Sequence, residues 1–306
     1  MLKQAWNDYR GWAKRARDLQ AATWWWNVAA LACAVIAAIC GAATTLFPDS
    51  GGAPNTWGVR LALAATLAAA IGAFLGRQII GSGTEANWIQ ARATAEGIKS
   101  ECFRYAAKAG AYDGADADAA KTFELRTDAV EKQATDKGLV RADDPVPPSG
   151  DKREPSSPLT ADWYKKNRIA EQIDYYKKGR ARNEAMASRL WWVAFVAALA
   201  AVVFGALGAW VQRFAPWIGA MTTIAASVAA YGLLDRRKYL IASYAAMQSN
   251  LERILARDEA TPMSLGDLVA ITEDLLEGEQ GLAPPDARHK ARRAARPAAA
   301  ERLREP

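Results

Sequence analysis

Four apolar runs dominate the pattern of this chain. Trp24–Phe47, Trp191–Val211 and Trp217–Leu234 carry no charge, and Trp57–Gly76 carries only Arg60, close to one end. About 20 apolar residues, rising 1.5 Å each, cross a roughly 30 Å hydrocarbon core, so each run predicts a transmembrane helix. The runs pair through short turns, Pro48–Thr56 and Gln212–Pro216, into two hairpins. Everything outside them is rich in charge, which is why the mean hydropathy of −0.14 conceals the spans. The predicted fold is an all-α integral membrane protein, with four transmembrane helices as two repeated hairpins and long cytosolic helical extensions.

Tryptophans mark the ends of the runs. Trp24, Trp25, Trp26, Trp57, Trp191, Trp192, Trp210 and Trp217 stand where a bilayer interface would fall. An indole ring there keeps its body in the headgroup region and its N–H hydrated. The first run follows a stretch that reads as a charged helix, and no small-residue cleavage site succeeds it, so it is expected to be a span and not a signal peptide.

The hairpins read as copies. At an offset of 167, Tyr9 meets Tyr176, Arg15 meets Arg182, Trp24 and Trp25 meet Trp191 and Trp192, Gly41 meets Gly208, and Phe47 meets Phe214. At 160, Trp57 meets Trp217 and Arg77 meets Arg237; the difference is a shorter second outer turn. An even number of spans separates the copies, so the repeat is parallel. The expected boundaries are 1–112 for the first two-span repeat, 113–140 for an acidic helical segment and 141–162 for a disordered linker. Residues 163–258 form the second repeat, 259–280 an amphipathic helix and 281–306 a basic disordered tail. The linker is assigned on its prolines, serines and mixed charge, which bury too little apolar area to offset ordering. Ser264 can cap the C-terminal helix, with Asp267 near the capping-box position and Leu265, Leu268, Leu275 and Leu276 to one side.

Lysine and arginine give the orientation. Lys3, Arg10, Lys14, Arg15 and Arg17 precede the first span, and Arg77 and Arg92 follow the second. Lys165, Lys166, Arg168, Lys177, Lys178, Arg180, Arg182 and Arg189 precede the third, and Arg236, Arg237 and Lys238 follow the fourth. The outer turns hold only Asp49 and Arg213. The positive-inside rule then places both termini and the linker in the cytoplasm of a multi-pass protein. These flanking residues also account for most of the net charge of +6, and no nucleic-acid-binding motif accompanies it.

The most specific stretch follows the second span: Trp88-x-x-x-Arg92-x-x-Ala95-Glu96-x-x-Lys99-Ser100-Glu101-x-Phe103-Arg104-Tyr105. With the preceding hairpin it resembles the SLATT superfamily, the SMODS- and SLOG-associating two-transmembrane effector domains of bacterial conflict systems, in a tandem-duplicated form. The resemblance covers residues 5 to 110 and, more weakly, 163 to 256, where Tyr244, Gln248 and Leu251-Glu252-Arg253 replace the motif. It implies an anti-phage or conflict-system effector that permeabilises or depolarises the inner membrane on a cytosolic signal, with a nucleotide-signal or signal-sensing protein as partner.

Two roles stand for the motif. On a helix Trp88, Arg92 and Glu96 are spaced i,i+4, and Glu101 faces Arg104 and Tyr105, which suits packing against a partner helix with ion pairs; the other role is signal binding. In the spans, Asn27, Thr44, Thr45, Thr66, Thr222, Thr223 and Ser227 are the polar side chains that could line a pore, or could hydrogen-bond between or within helices. Four spans enclose little lumen, so a pore requires a homo-oligomer in the lipid bilayer. A non-conducting scaffold that binds a partner through its cytosolic helices is the rival reading. Enzyme activity is not expected: the one histidine, His289, lies in the tail, and no cofactor cradle, metal set or nucleophile–base pair is present. No nucleic-acid partner is expected either. Cys33, Cys40 and Cys102 read as small apolar residues.

Overall fold

The structure is a computed structural model that describes residues 1–48, 55–81, 83–143, 153–156, 158–234 and 237–279. Among them every regular element is helical. The order is α1 (Leu2–Ala43), a 3-10 turn (Thr44–Leu46), α2 (Thr56–Gly81), α3 (Thr84–Ala106), a second 3-10 turn (Gly110–Tyr112) and α4 (Asp116–Thr135). Then come α5 (Ala161–Tyr164), a π-helical turn (Lys165–Ile169), α6 (Ala170–Trp210), a 3-10 turn (Gln212–Phe214), α7 (Ala215–Leu234), α8 (Arg237–Ala260) and α9 (Leu265–Glu279). The sequence repeat is a repeat of elements: a long helix, a one-turn 3-10 element, an apolar helix and a polar helix occur twice, at α1–α3 and α6–α8. Four helices are long and apolar enough to cross a membrane.

The chain forms two compact units. The apolar unit comprises residues 20–85 and 176–246, and the polar unit residues 1–19, 86–175 and those from 247 onward. In the apolar unit large side chains point outward: Trp25 is 64 % exposed, Phe74 66 % and Val202 69 %. Such a surface is untenable in water and ordinary against acyl chains. Within the hairpins small residues set the close approaches. A Cβ on Gly72 would lie 3.2 Å from Cys33 Cβ, and one on Gly208 would lie 3.3 Å from Ala215 N. Phe204 packs on Phe214 and Trp217 at the second outer turn, and Arg60 lies over the Trp57 ring, 5.1 Å from its centroid. Thr45 Oγ1 donates to Arg213 O at 3.4 Å, joining the 3-10 turn that ends the first span to the one that follows α6. Gly83, at φ +59°, takes the left-handed conformation that lets the chain leave α2 and restart as α3.

The polar unit has a core of its own. Trp6 and Trp12 from α1, Ile98, Cys102 and Phe103 from α3, Phe123 from α4, Tyr164 and Ile169, Leu251 from α8, and Leu268, Val269 and Leu276 from α9 are all buried. Ser264 caps α9: its Oγ accepts from Asp267 N at 3.1 Å and donates to Asp267 Oδ2 at 2.7 Å. Of the segment read as a disordered linker, residues 144–152 and 157 lie outside the described residues, as does the basic tail. The described flanks are ordered. Arg141 pairs with Asp8, Lys14 Nζ donates to Asp143 O at 2.9 Å, Leu159 is buried, and Thr160 caps α5. Composition counts prolines and charges; it does not register that Arg141 and Leu159 have partners elsewhere in the chain.

That strap crosses α1 where α1 has no side chain. A Cβ on Gly11 would meet Arg141 Cγ at 2.7 Å and Ala142 O at 2.8 Å. Alanine would add up to about 1 kcal/mol of helix propensity, yet the clash with a backbone oxygen outweighs it. Gly11→Ala should therefore destabilise the protein by about 1–3 kcal/mol and speed limited proteolysis between α4 and α5. Thermal unfolding in detergent and the rate of that cleavage check it; an unchanged midpoint would show that the strap moves aside without cost.

Candidate functional site

The α3 motif lies in the polar unit, and its side chains fan out to five other elements. Trp88 is half-buried. Arg92 Nη2 donates to Tyr175 Oη at 3.1 Å, its guanidinium lies 5.9 Å from that ring's centroid, and its charge also helps hold the Glu96 carboxyl down. Glu96 reaches toward Arg168, with Oε2 3.7 Å from Nη1. Glu101 accepts from the Tyr112 hydroxyl and from Arg104 Nη1 at 3.3 Å, and lies 3.5 Å from Arg126 Nη1. Arg104 also holds Asp274 Oδ1 at 2.7 Å and Glu277 Oε2 at 3.1 Å, both on α9. Tyr105 packs on Phe123 and Tyr112 at centroid distances of 4.6 and 5.7 Å. The motif therefore joins α3 to α4, α6 and α9.

The centre of the network escaped sequence reasoning. Arg168, in the π turn, is 2 % exposed, and Glu273, on α9, is 0 % exposed. Arg168 Nε donates to Glu273 Oε1 at 2.9 Å and Nη2 to Oε2 at 2.8 Å, a bidentate fork. The Tyr164 hydroxyl donates to Glu273 Oε1 at 2.8 Å, and the Arg168 guanidinium sits 4.9 Å from the Phe103 centroid. One turn from Arg168, Lys165 pairs with Asp258 of α8, which also accepts from Met263 N at 2.9 Å. The π turn thus carries three ion pairs, to α3, α8 and α9. In sequence Arg168 reads as one of the cations that set topology, and nothing in its neighbours separates it from them. Glu273 did leave a trace: an acid four residues after Val269 and three before Leu276, on the apolar stripe of α9.

Burial alone would raise the Glu273 carboxyl, but the charge and hydrogen bonds of Arg168 and the Tyr164 hydroxyl offset it and hold the group below the usual carboxylate range. For Arg168 burial opposes charge, and Glu273 with Glu96 more than restores it, so the guanidinium stays ionised. Burial, then the Glu273 charge, pushes the Tyr164 phenol well up. Burial likewise pushes the Cys102 thiol up, so it stays protonated and unreactive. Glu277 is raised by its burial, against the pull of Arg104. Among the described residues no group of three His, Cys, Asp or Glu side chains could hold a metal ion. What the network can do is fix helix positions through charge.

In the spans, most of the polar side chains satisfy themselves. Asn27 Nδ2 donates to Thr23 O at 3.0 Å, Thr44 to Gly41 O at 2.7 Å, Thr45 to Ala42 O at 2.8 Å, Thr66 to Ala62 O at 2.9 Å and Thr222 to Ile218 O at 2.9 Å. Each bond runs to the turn before, within the same helix or the 3-10 turn that ends it. Thr223 is exposed and Ser227 half-buried on α7.

Breaking the buried fork leaves an uncompensated charge. Arg168→Met or Glu273→Leu alone should each cost about 3–5 kcal/mol, while the double variant should recover much of the loss; denaturant unfolding in detergent measures all three. The pH dependence follows in sign. The folded-state value of Glu273 lies below its unfolded value, so its contribution is complete above pH ~4.3 and disappears as pH falls through the lower folded value. Stability of the wild type should decline on acidification across that window, and Glu273→Gln should flatten the decline.

Two family models match the chain. The SMODS and SLOG-associating 2TM effector domain 3 matches residues 8–152, and the SMODS and SLOG-associating 2TM effector domain 1 matches residues 164–281. No curated protein and no solved structure matches. The first match takes in α4 and the second α9, so each domain includes a helix of the polar unit beyond its hairpin. The chain is a membrane protein that belongs to the SLATT superfamily, with two such effector domains in tandem.

Proposed function

We propose that the protein is a bacterial conflict-system effector that oligomerises in the inner membrane and permeabilises or depolarises it on a cytosolic signal. The observation that carries this reading is the match of two distinct two-transmembrane effector domains, one to each half of the chain. SLATT effector domains are membrane-associated and linked to conflict systems. The distribution of lysine and arginine supports a topology with the polar unit and both termini in the cytoplasm, within reach of a nucleotide signal or a signal-sensing protein. The network of Glu101, Arg104, Tyr105, Arg168 and Glu273 is the element we assign to receiving that signal, because it holds α3, α4, α5 and α9 in one arrangement. The outward apolar faces of the four spans give an oligomer the surface to assemble on. No chemical step is required of the chain.

The scaffold reading draws on one specific observation. Five of the seven polar span residues engage carbonyls of their own helix or its 3-10 extension and leave little to coordinate an ion. Purified protein in sealed liposomes separates the two readings. For the effector, dye or ion release should appear with the oligomeric form, and Thr223→Val with Ser227→Ala should change the release rate several-fold. Liposomes that stay sealed around a stable monomer would leave the scaffold.

A further inference from the structure

Within the apolar unit, one face of α6 changes character abruptly at the predicted membrane edge. Successive residues of an α-helix are 100° apart, so Arg182, Arg189, Val193, Val196 and Ala200 fall within about 60° of one another on α6. Below Arg189 this face opens into a cavity of about 400 Å³ lined by Trp192, Val193, Val196, Ala197, Ala200 and, from α7, Met221. All six are apolar; Ala197 is buried and forms the floor, while Trp192, Val193 and Val196 are 50–57 % exposed and form the rim. Trp192 and Trp191 pack edge-on at 5.0 Å, and Trp191 stacks on Phe195 at 5.3 Å, which places an aromatic belt at the head of the cavity.

Arg189 lies about 6 Å along the helix from Val193, and Arg182 a further 10 Å or so. Both are exposed, and neither makes an ion pair among the described residues. On α6 itself, Glu184 lies on the other side of the helix and is engaged by Arg180 at 2.8 Å. The occupant of this face must therefore be apolar at one end and anionic at the other. A second copy of the same face would bring arginines against arginines.

We propose that Arg182 and Arg189, with the apolar cavity beneath them, form a binding site for one anionic phospholipid: its phosphate at the two guanidinium groups, one acyl chain in the cavity. The site belongs to the second hairpin. At the offset of 167 the corresponding residues of the first are Arg15, Ala22, Trp26, Ala29 and Cys33, which lack the second cation, and Cys33 is closed off against Gly72.

The test uses the purified full chain in mixed micelles, titrating phosphatidylglycerol into phosphatidylcholine and following thermal unfolding and bound lipid by native mass spectrometry. Phosphatidylglycerol should raise the unfolding midpoint saturably. Two cations near a headgroup, at roughly 1 kcal/mol each, correspond to about thirtyfold in affinity, so Arg182→Gln with Arg189→Gln should weaken binding by about that factor. Ala200→Leu, which fills the cavity and keeps both cations, should weaken it comparably; Met221→Phe fills the opposite wall if Ala200→Leu disturbs folding. Arg180→Gln should bind as the wild type does. Undiminished binding by the double arginine variant overturns the site. Undiminished binding by both cavity-filling variants reduces it to diffuse attraction of a charged surface, which also overturns it. Disulfide cross-linking of a Val196→Cys variant to a second copy, unaffected by phosphatidylglycerol, would assign the face to an oligomer interface instead.

Discussion

A guanidinium removed from water must be neutralised and walled in, and around Arg168 that requirement organises the polar unit. Its charge is met by Glu273 in a two-point fork, its face by the Phe103 ring, and its remaining edge by Glu96. Those partners come from α9 and α3, so one desolvated cation fixes the π turn, α3 and α9 together. With α9 fixed, Asp274 and Glu277 sit where Arg104 can hold them, and Arg104 in turn orients Glu101 beneath Tyr112 and Arg126. A hydrophobic side chain at 168 could fill the same volume. It could not distinguish one rotation of α9 from another, whereas a bidentate fork can.

The parts of the architecture that depend on local pattern were legible in the chain. Uncharged runs bounded by tryptophan identified the four spans because desolvating a charge in lipid is costly enough to exclude it over a whole helix. The offset matches from Tyr9 and Tyr176 to Phe47 and Phe214 identified the repeat, and the helices of the two copies coincide in order. The α3 motif was legible as a packing surface, yet its pairings were not. Arg92, spaced i,i+4 from Glu96, also reaches Tyr175, and Glu96 shares its charge with Arg168 as well as Arg92. Arg168 and Glu273 are 105 residues apart, and no local spacing rule reaches that far.

The two copies share elements and differ in what fills them. Trp12 of the first is buried and donates its Nε1–H to Glu131 at 3.1 Å; the matching position of the second is Gly179, where the Tyr244 ring would lie 2.7 Å from an added Cβ. A large side chain in one copy and a neighbour's ring in the other occupy the same kind of gap. The two copies share a frame, and large-to-small differences at matched positions give each its own contacts.

The polar unit is drawn from three separated stretches of chain, and the last of them holds Glu273. A ribosome delivers residues in order, so Arg168 emerges, and the third and fourth spans follow it, before its carboxylate exists. Closure of the polar core therefore waits on completion of all four membrane segments. Until then Arg168 and the aromatic rings around it lack the α9 carboxylate and the α9 side chains that complete their burial. The salt bridge that holds the finished molecule thereby makes the polar core close only after the fourth membrane segment has been made.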